Sequence, residues 1–260
     1  MGITQFERAQ TEYLLTKRAD HLAVKEPTYE EEKQDSYTVM REIRGRNLFD
    51  ILDDDNEFRV VLTTQQRIDI TRALLKALKE QVIDKRIVHR DIKPENVLVE
   101  MDPTVSAAII DFGFSIELGQ SASRHSGSPG YVPPELFETM LATEKYDVYS
   151  MARIVSVVWR IDLRSYTSEN IRYYANNATK ELESLFYGIT DLSEQEKSLI
   201  KSTLKDMLNP DPSKRKSIEE TIQCFDRLVD AKAKSKCDEV SSVGSSSSEH
   251  AITSEITLTI

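Results

Sequence analysis

The stretch His89-Arg90-Asp91-Ile92-Lys93-Pro94-Glu95-Asn96 and the later Asp111-Phe112-Gly113 bring together an acid, a lysine, an amide and a second acid. That order and spacing suit phosphoryl transfer from a magnesium–nucleotide complex. Such a reaction asks for little covalent help; it needs positioning and charge neutralisation. Magnesium takes hard oxygen ligands such as carboxylates and amides, and a lysine is a compact point charge for a phosphate.

These side chains must be held by regular elements on either side. Thr63 or Thr64 caps a predicted helix to about Arg86, with Ile68, Leu75, Leu78 and Val82 as its apolar stripe. Val97 to Val99 and Ala107 to Ile110 read as two short strands, a hairpin around Asp102-Pro103 that brings Asn96 and Asp111 near each other. Asp147 to about Trp159 is apolar on most sides, the pattern of a buried helix. Leu192 to Leu208 and Ser217 to Leu228 are amphipathic helices. At the start, Thr4 and Glu7 have capping-box spacing, and Phe6, Tyr13 and Leu14 are expected to share one helical face.

The catalytic-loop and DFG wording resembles the eukaryotic-type protein kinase family. The resemblance implies that Asp91 accepts or orients the proton of the attacking hydroxyl and that Lys93 neutralises charge on the γ-phosphate. It implies that Asn96 and Asp111 hold magnesium, that Gly113 lets the backbone turn so Asp111 faces the metal, and that ATP and Mg2+ are the cofactors. Lysine at position 93 is the serine/threonine kinase pattern. His89 is expected to pack toward Phe112. Small-molecule phosphotransferases of related fold are the alternative family; they usually lack the equivalent of Arg90 and a full DFG.

Further motifs follow in the family's order. Gly127 to Glu135, GSPGYVPPE, resembles the end of an activation segment, with Ser128 in place of threonine and Pro133 in place of alanine. Ser128 is then expected to bond Asp91 and Lys93. Asp147 resembles the aspartate that anchors the catalytic loop. Glu135 and Arg215, the latter in Leu208-Asn209-Pro210-Asp211-Pro212-Ser213-Lys214-Arg215, are expected to form a buried ion pair. In the family an arginine at the place of Arg90 can bind a phosphate on the activation segment, which here offers Ser121, Ser123 and Ser126 beside Arg124; the alternative reading is that these serines only supply loop flexibility.

The glycine-rich loop and V-A-I-K lysine of a complete kinase have no counterpart in this sequence. Leu22-Ala23-Val24-Lys25 looks like the lysine motif, but the hinge resembles Tyr37-Thr38-Val39-Met40-Arg41-Glu42. At about 1.5 Å per helical residue, the interval cannot hold a helix of several turns and another strand. Lys25 is therefore expected to be a solvated lysine on a strand before the hinge. The first segment resembles the C-helix instead, with Glu7 or Glu12 either matching its ion-pair glutamate or, with no partner lysine, being a solvated helix charge. Three readings stay open: a fragment, a wrongly placed start, or a degenerate kinase acting as a binding or scaffold module.

The expected fold class is α+β, a protein kinase-like fold. Residues 1–43 would form a partial small lobe, 44–232 a mostly helical large lobe, and 233–260 a flexible serine-rich tail. Net charge is −10, which disfavours nucleic acid and anionic membranes as partners. Protein substrate and ATP are the expected partners, and the oligomeric state is open. Cys224 and Cys237 give no disulfide framework, and no signal peptide or transmembrane run is visible, so the cytoplasm is the expected compartment. The tail, ending in Ile256, Leu258 and Ile260, also resembles C-terminal export signals of bacterial type IV secretion effectors, which would place the protein in a host cytosol. A serine-rich flexible segment has the same composition.

Overall fold

Acidic Glu7 in the first turn and Lys17 and Arg18 in the last match the dipole of helix α1 (Gln5–Arg18). The structure is a computed structural model and describes residues 5–22, 24–33, 35–121, 127–138, 141, 143–161 and 170–229. Thr4 and the tail from residue 230 lie outside the described residues. The expected apolar face of α1 is corrected: Leu14 is 61% exposed, whereas Leu15, Thr16 and Ala19 are buried. The packing surface beneath the helix meets the side that carries Glu12, Leu15, Thr16 and Ala19, an i, i+3, i+4, i+7 set. Phe6 instead covers Tyr29 with ring centroids 5.4 Å apart.

Tyr29 belongs to a hairpin of β1 (Thr28–Glu30) and β2 (Asp35–Tyr37), paired antiparallel with Thr28 opposite Tyr37. The ladder continues toward the hinge through Lys25 N to Val39 O and Arg41 N to Leu22 O, both 2.8 Å. The Lys25 side chain is exposed, as expected of a solvated lysine, but Lys25 precedes β1 and is not on a strand.

Strand β3 (Arg46–Asn47) leads the chain into the large lobe. It pairs with β5 (Val97–Glu100), which pairs in turn with β6 (Ser106–Ile109). Gly45 makes this approach possible: its φ is +124°, and a Cβ there would sit 2.8 Å from the Val99 carbonyl. Asn47 caps helix α2 (Leu48–Asn56), its side chain accepting from Phe49 N.

Thr63 and Gln66 form a capping box on α3 (Thr64–Ala77). The helix then widens into a π-helical turn (Leu78–Ile83), where Asp84 N reaches Lys79 O at 2.8 Å, so the predicted helix to Arg86 is α-helical only in its first part. Ile68, Leu75, Leu78 and Val82 are all buried. Strand β4 (Ile87–Val88) pairs with β7 (Ile116–Glu117), and the catalytic loop and DFG run between these two strands and the β5–β6 hairpin.

The buried helix α4 (Glu144–Val158) is the centre of the lobe. Around it lie α3, α6 (Glu194–Met207, capped by Ser193 and Glu196) and β4, with α5 (Ile171–Glu181) and a final helix, α7, over 218–229. Trp159, Tyr149, Phe112 and Phe225 are among the largest fully buried side chains.

One buried polar cluster binds the lobe together. Asp55, at the end of α2, accepts from Arg67 Nη2 at 2.7 and 2.8 Å, from Arg160 Nε and Nη2 at 3.0 Å, and from Leu62 N at 2.7 Å. All three charged side chains are buried, so each depends on the others for its solvation.

Candidate active site

The catalytic loop has an unusual backbone. Arg90 has φ +67°, a left-handed value that costs a non-glycine residue free energy. Asp147, from the first turns of α4, holds it there. Its carboxylate accepts from His89 N at 2.6 Å and from Arg90 N at 2.9 Å. Burial pushes the Asp147 carboxyl up to about 7, while the two amide bonds favour its charged form.

His89 is fully buried, and burial pushes its imidazole down to about 4, so the ring is neutral near pH 7. Its Nε2 donates to Ile110 O at 3.1 Å, while Nδ1 accepts from Asp91 N at 3.4 Å. The ring meets the edge of Phe112 with centroids 4.8 Å apart, and His21 lies 6.3 Å from Phe112 on another side. Phe112 is buried.

Asp91 is 4% exposed and receives three donors. Ser128 Oγ donates to Oδ1 at 2.7 Å, Asn96 Nδ2 donates to Oδ2 at 3.0 Å, and Lys93 Nζ stands 3.1 Å from Oδ2. Lys93 Nζ also donates to Ser128 Oγ at 3.0 Å. A hydroxyl of the segment after the DFG thus closes a triangle with the acid and the lysine of the catalytic loop. Both hydrogen bonds of the Asn96 amide use Nδ2, the second going to Asp91 O at 2.9 Å, which leaves its oxygen end to ligate.

Asp111 carries the left-handed turn of the DFG, with φ +64°. The expectation that Gly113 supplies this turn is corrected, because Gly113 has no positive φ. Its role is spatial. A Cβ on Gly113 would lie 3.1 Å from Asp111 Oδ1 and 3.6 Å from Glu12 Oε2. Of the two glutamates of α1, Glu12 lies beside Gly113 of the DFG, and Glu7 is exposed. Burial, then the charge of Asp111, holds the Glu12 carboxyl above the usual range.

Asn96 and Asp111 offer hard oxygen donors of the kind magnesium takes. Among the described residues no group of three or more His, Cys, Asp or Glu side chains could hold a metal by itself.

Arg90 Nε donates to Phe114 O at 2.6 Å, while its Nη1 is buried with no hydrogen-bond partner among the described residues. Ser123, Arg124, His125 and Ser126 lie outside the described residues; Ser121 bridges to Leu141. Glu135 and Arg215 meet in a bidentate pair at 2.6 and 2.9 Å. Two participants escaped the sequence reading. Asn47 Nδ2 donates to Glu95 O at 2.8 Å, tying the cap of α2 to the catalytic loop. Arg153 of α4 donates to Gly130 O at 2.8 Å.

The family of protein kinase domains matches residues 3–224, and the chain belongs to that family. Its fold is the α+β fold of a protein kinase domain. Serine/threonine-protein kinase nekl-2 of Caenorhabditis elegans is 26% identical over 191 residues, 71% of this chain and 51% of the nematode protein. A probable receptor-like protein kinase of Arabidopsis thaliana is 36% identical over 123 residues, 45% of this chain and 25% of its own length. A probable myosin light chain kinase of Dictyostelium discoideum is 27% identical over 225 residues, 82% of this chain and 68% of its own. The chain thus spans about half of the first relative, a quarter of the second and about two thirds of the third. No helix among the described residues is long and apolar enough to cross a membrane.

Proposed function

We propose that this chain is a serine/threonine protein kinase that transfers the γ-phosphoryl group of ATP to a protein hydroxyl. The observation that carries the reading is the triangle of Asp91, Ser128 and Lys93, with Ser128 Oγ 2.7 Å from the acid and 3.0 Å from the lysine. It joins the catalytic loop to the segment that would receive a protein substrate. Asp91 orients the attacking hydroxyl and takes its proton. Lys93 presents a positive charge to the transferred group. Asn96 and Asp111 would hold magnesium, which when bound neutralises phosphate charge. Glu12 presents its carboxylate to the same space beside Gly113. Asp147 keeps the loop in its left-handed form, and the Glu135–Arg215 pair holds the segment after Ser128.

Arg90 gives the site a regulatory reading as well. Its buried Nη1 is a ready donor for a phosphate on the adjoining segment.

Incubation of the full chain with magnesium, γ-labelled ATP and a mixed protein acceptor, followed by acid hydrolysis, tests the reading. Label on phosphoserine and phosphothreonine is expected. Label confined to phosphotyrosine would overturn the serine/threonine assignment.

A further inference from the structure

Arg153 sits in the middle of α4, in a helix otherwise packed mainly with apolar and small side chains, and it is 0% exposed. Full burial of a guanidinium is costly unless its donors are satisfied. Here Nε donates to Gly130 O at 2.8 Å and Nη1 to Glu181 Oε2 at 2.9 Å, at the last residue of α5.

Gly130 belongs to a tight turn. Tyr131 N returns to Ser128 O at 3.1 Å across Pro129 and Gly130, and Gly130 has φ +87°. Proline second and a left-handed glycine third are the marks of a type II turn. The first residue of that turn is Ser128, whose hydroxyl bonds Asp91 and Lys93. A rigid path therefore runs from the buried guanidinium through the Gly130 carbonyl to the hydroxyl that meets the acid and the lysine.

We propose that Arg153 is a positioning residue for the protein acceptor: with Glu181 orienting its guanidinium, it fixes the Ser128–Tyr131 turn against the catalytic loop and so sets where the acceptor hydroxyl lies. This rests on the kinase reading. The path ends on the hydroxyl that bonds Asp91, the residue that acts on the acceptor hydroxyl, so its effect is read on the acceptor side. Displacement of a positioned group by about 1 Å costs about 10²-fold in rate.

The test compares the full unsubstituted chain with Arg153→Met and Arg153→Lys. Steady-state kinetics are run with both ATP and a serine peptide varied, and hydrogen exchange is followed across the chain. For Arg153→Met we expect kcat/KM for the peptide to fall by about 10²-fold with KM for ATP unchanged. Exchange should rise over residues 127–133 and stay level in α6. Lysine, which keeps the charge and a donor, should recover part of the loss. Unchanged exchange over 127–133, or a loss carried by a raised KM for ATP, would overturn the proposal. Should Arg153→Met fail to fold, Glu181→Gln leaves the arginine in place with a neutral partner. The same selective rise over 127–133 is then expected, and its absence counts against the proposal. If the unsubstituted chain transfers no phosphate, the kinase reading fails, and exchange over 127–133 still decides whether Arg153 anchors the turn.

Discussion

Arg215 and Glu135 meet fork to fork, Nη1 to Oε1 at 2.6 Å and Nη2 to Oε2 at 2.9 Å. The arginine also donates to the carbonyls of Lys145 and Asn209 and lies 5.0 Å from the centre of the Tyr149 ring. Both side chains are buried. Removing one strands the other, so Glu135→Ala or Arg215→Ala should each cost about 3–5 kcal/mol. Denaturant curves of the singles and the double should show a double mutant well short of the sum.

Asp55 should be as hard to replace. Arg67 is 1% exposed and Arg160 7%, and the Asp55 carboxylate accepts from both. Asp55→Ala leaves two buried guanidinium groups without their counter-ion, at a cost of about 3–5 kcal/mol. A fall in Tm on the order of 10 °C is expected by scanning calorimetry; an unchanged Tm would remove this cluster from the account of stability.

His89 supplies a pH signature. Its folded pKa of about 4 lies below the ordinary 6.5 because the ring is buried. Between those values the unfolded chain takes up a proton that the native ring refuses. The stability contributed by a neutral His89 is thus present above about pH 6.5 and lost as pH falls toward 4. At about 1.36 kcal/mol per unit, the loss is about 3 kcal/mol. Asp147, raised by its own burial to about 7, titrates with the opposite slope over this range. Comparison with His89→Gln isolates the histidine, because Asp147 is common to both chains. The stability of the unsubstituted chain relative to the variant should fall by about 3 kcal/mol from pH 6.5 to 4, and a constant difference would contradict the assignment.

The local parts of this site were legible in the sequence; the long-range parts were not. Asp91, Lys93, Asn96 and Asp111 sit in contiguous motifs whose residue types state their chemistry. The capping box at Thr63 and the buried stripe through Val82 follow from short periodicities. Asp55, Arg67 and Arg160 form one cluster from three elements, and each alone has the look of a solvated charge. Arg153 is hidden for the same reason, since its partners Gly130 and Glu181 are brought to it by packing. In α1, periodicity groups Leu14 with Phe6 and Tyr13 on one face but cannot say which side packs, and it cannot separate Glu7 from Glu12. The left-handed turn was assigned to Gly113 because glycine adopts it most easily. The structure puts it on Asp111, and a Cβ on Gly113 would press closely on the Asp111 carboxylate.

Asp111 gives a direct check of the metal site. Asp111→Ala removes a hard-oxygen ligand and should abolish magnesium-dependent nucleotide binding, measured by titration with a fluorescent ATP analogue. Binding that is undiminished in the variant and still requires magnesium would place the ion elsewhere.

The central claim is that Asp91 acts on a substrate hydroxyl, held in place by Ser128, Lys93 and Asn96. The most direct measurement is phosphate transfer from labelled ATP to a protein acceptor by the full chain and by Asp91→Asn. Asparagine keeps the shape and one acceptor but cannot take the proton. Transfer by the unsubstituted chain and a loss of about 10²- to 10⁴-fold in the variant is the predicted result. Equal transfer by both chains, or none by either, would contradict the account.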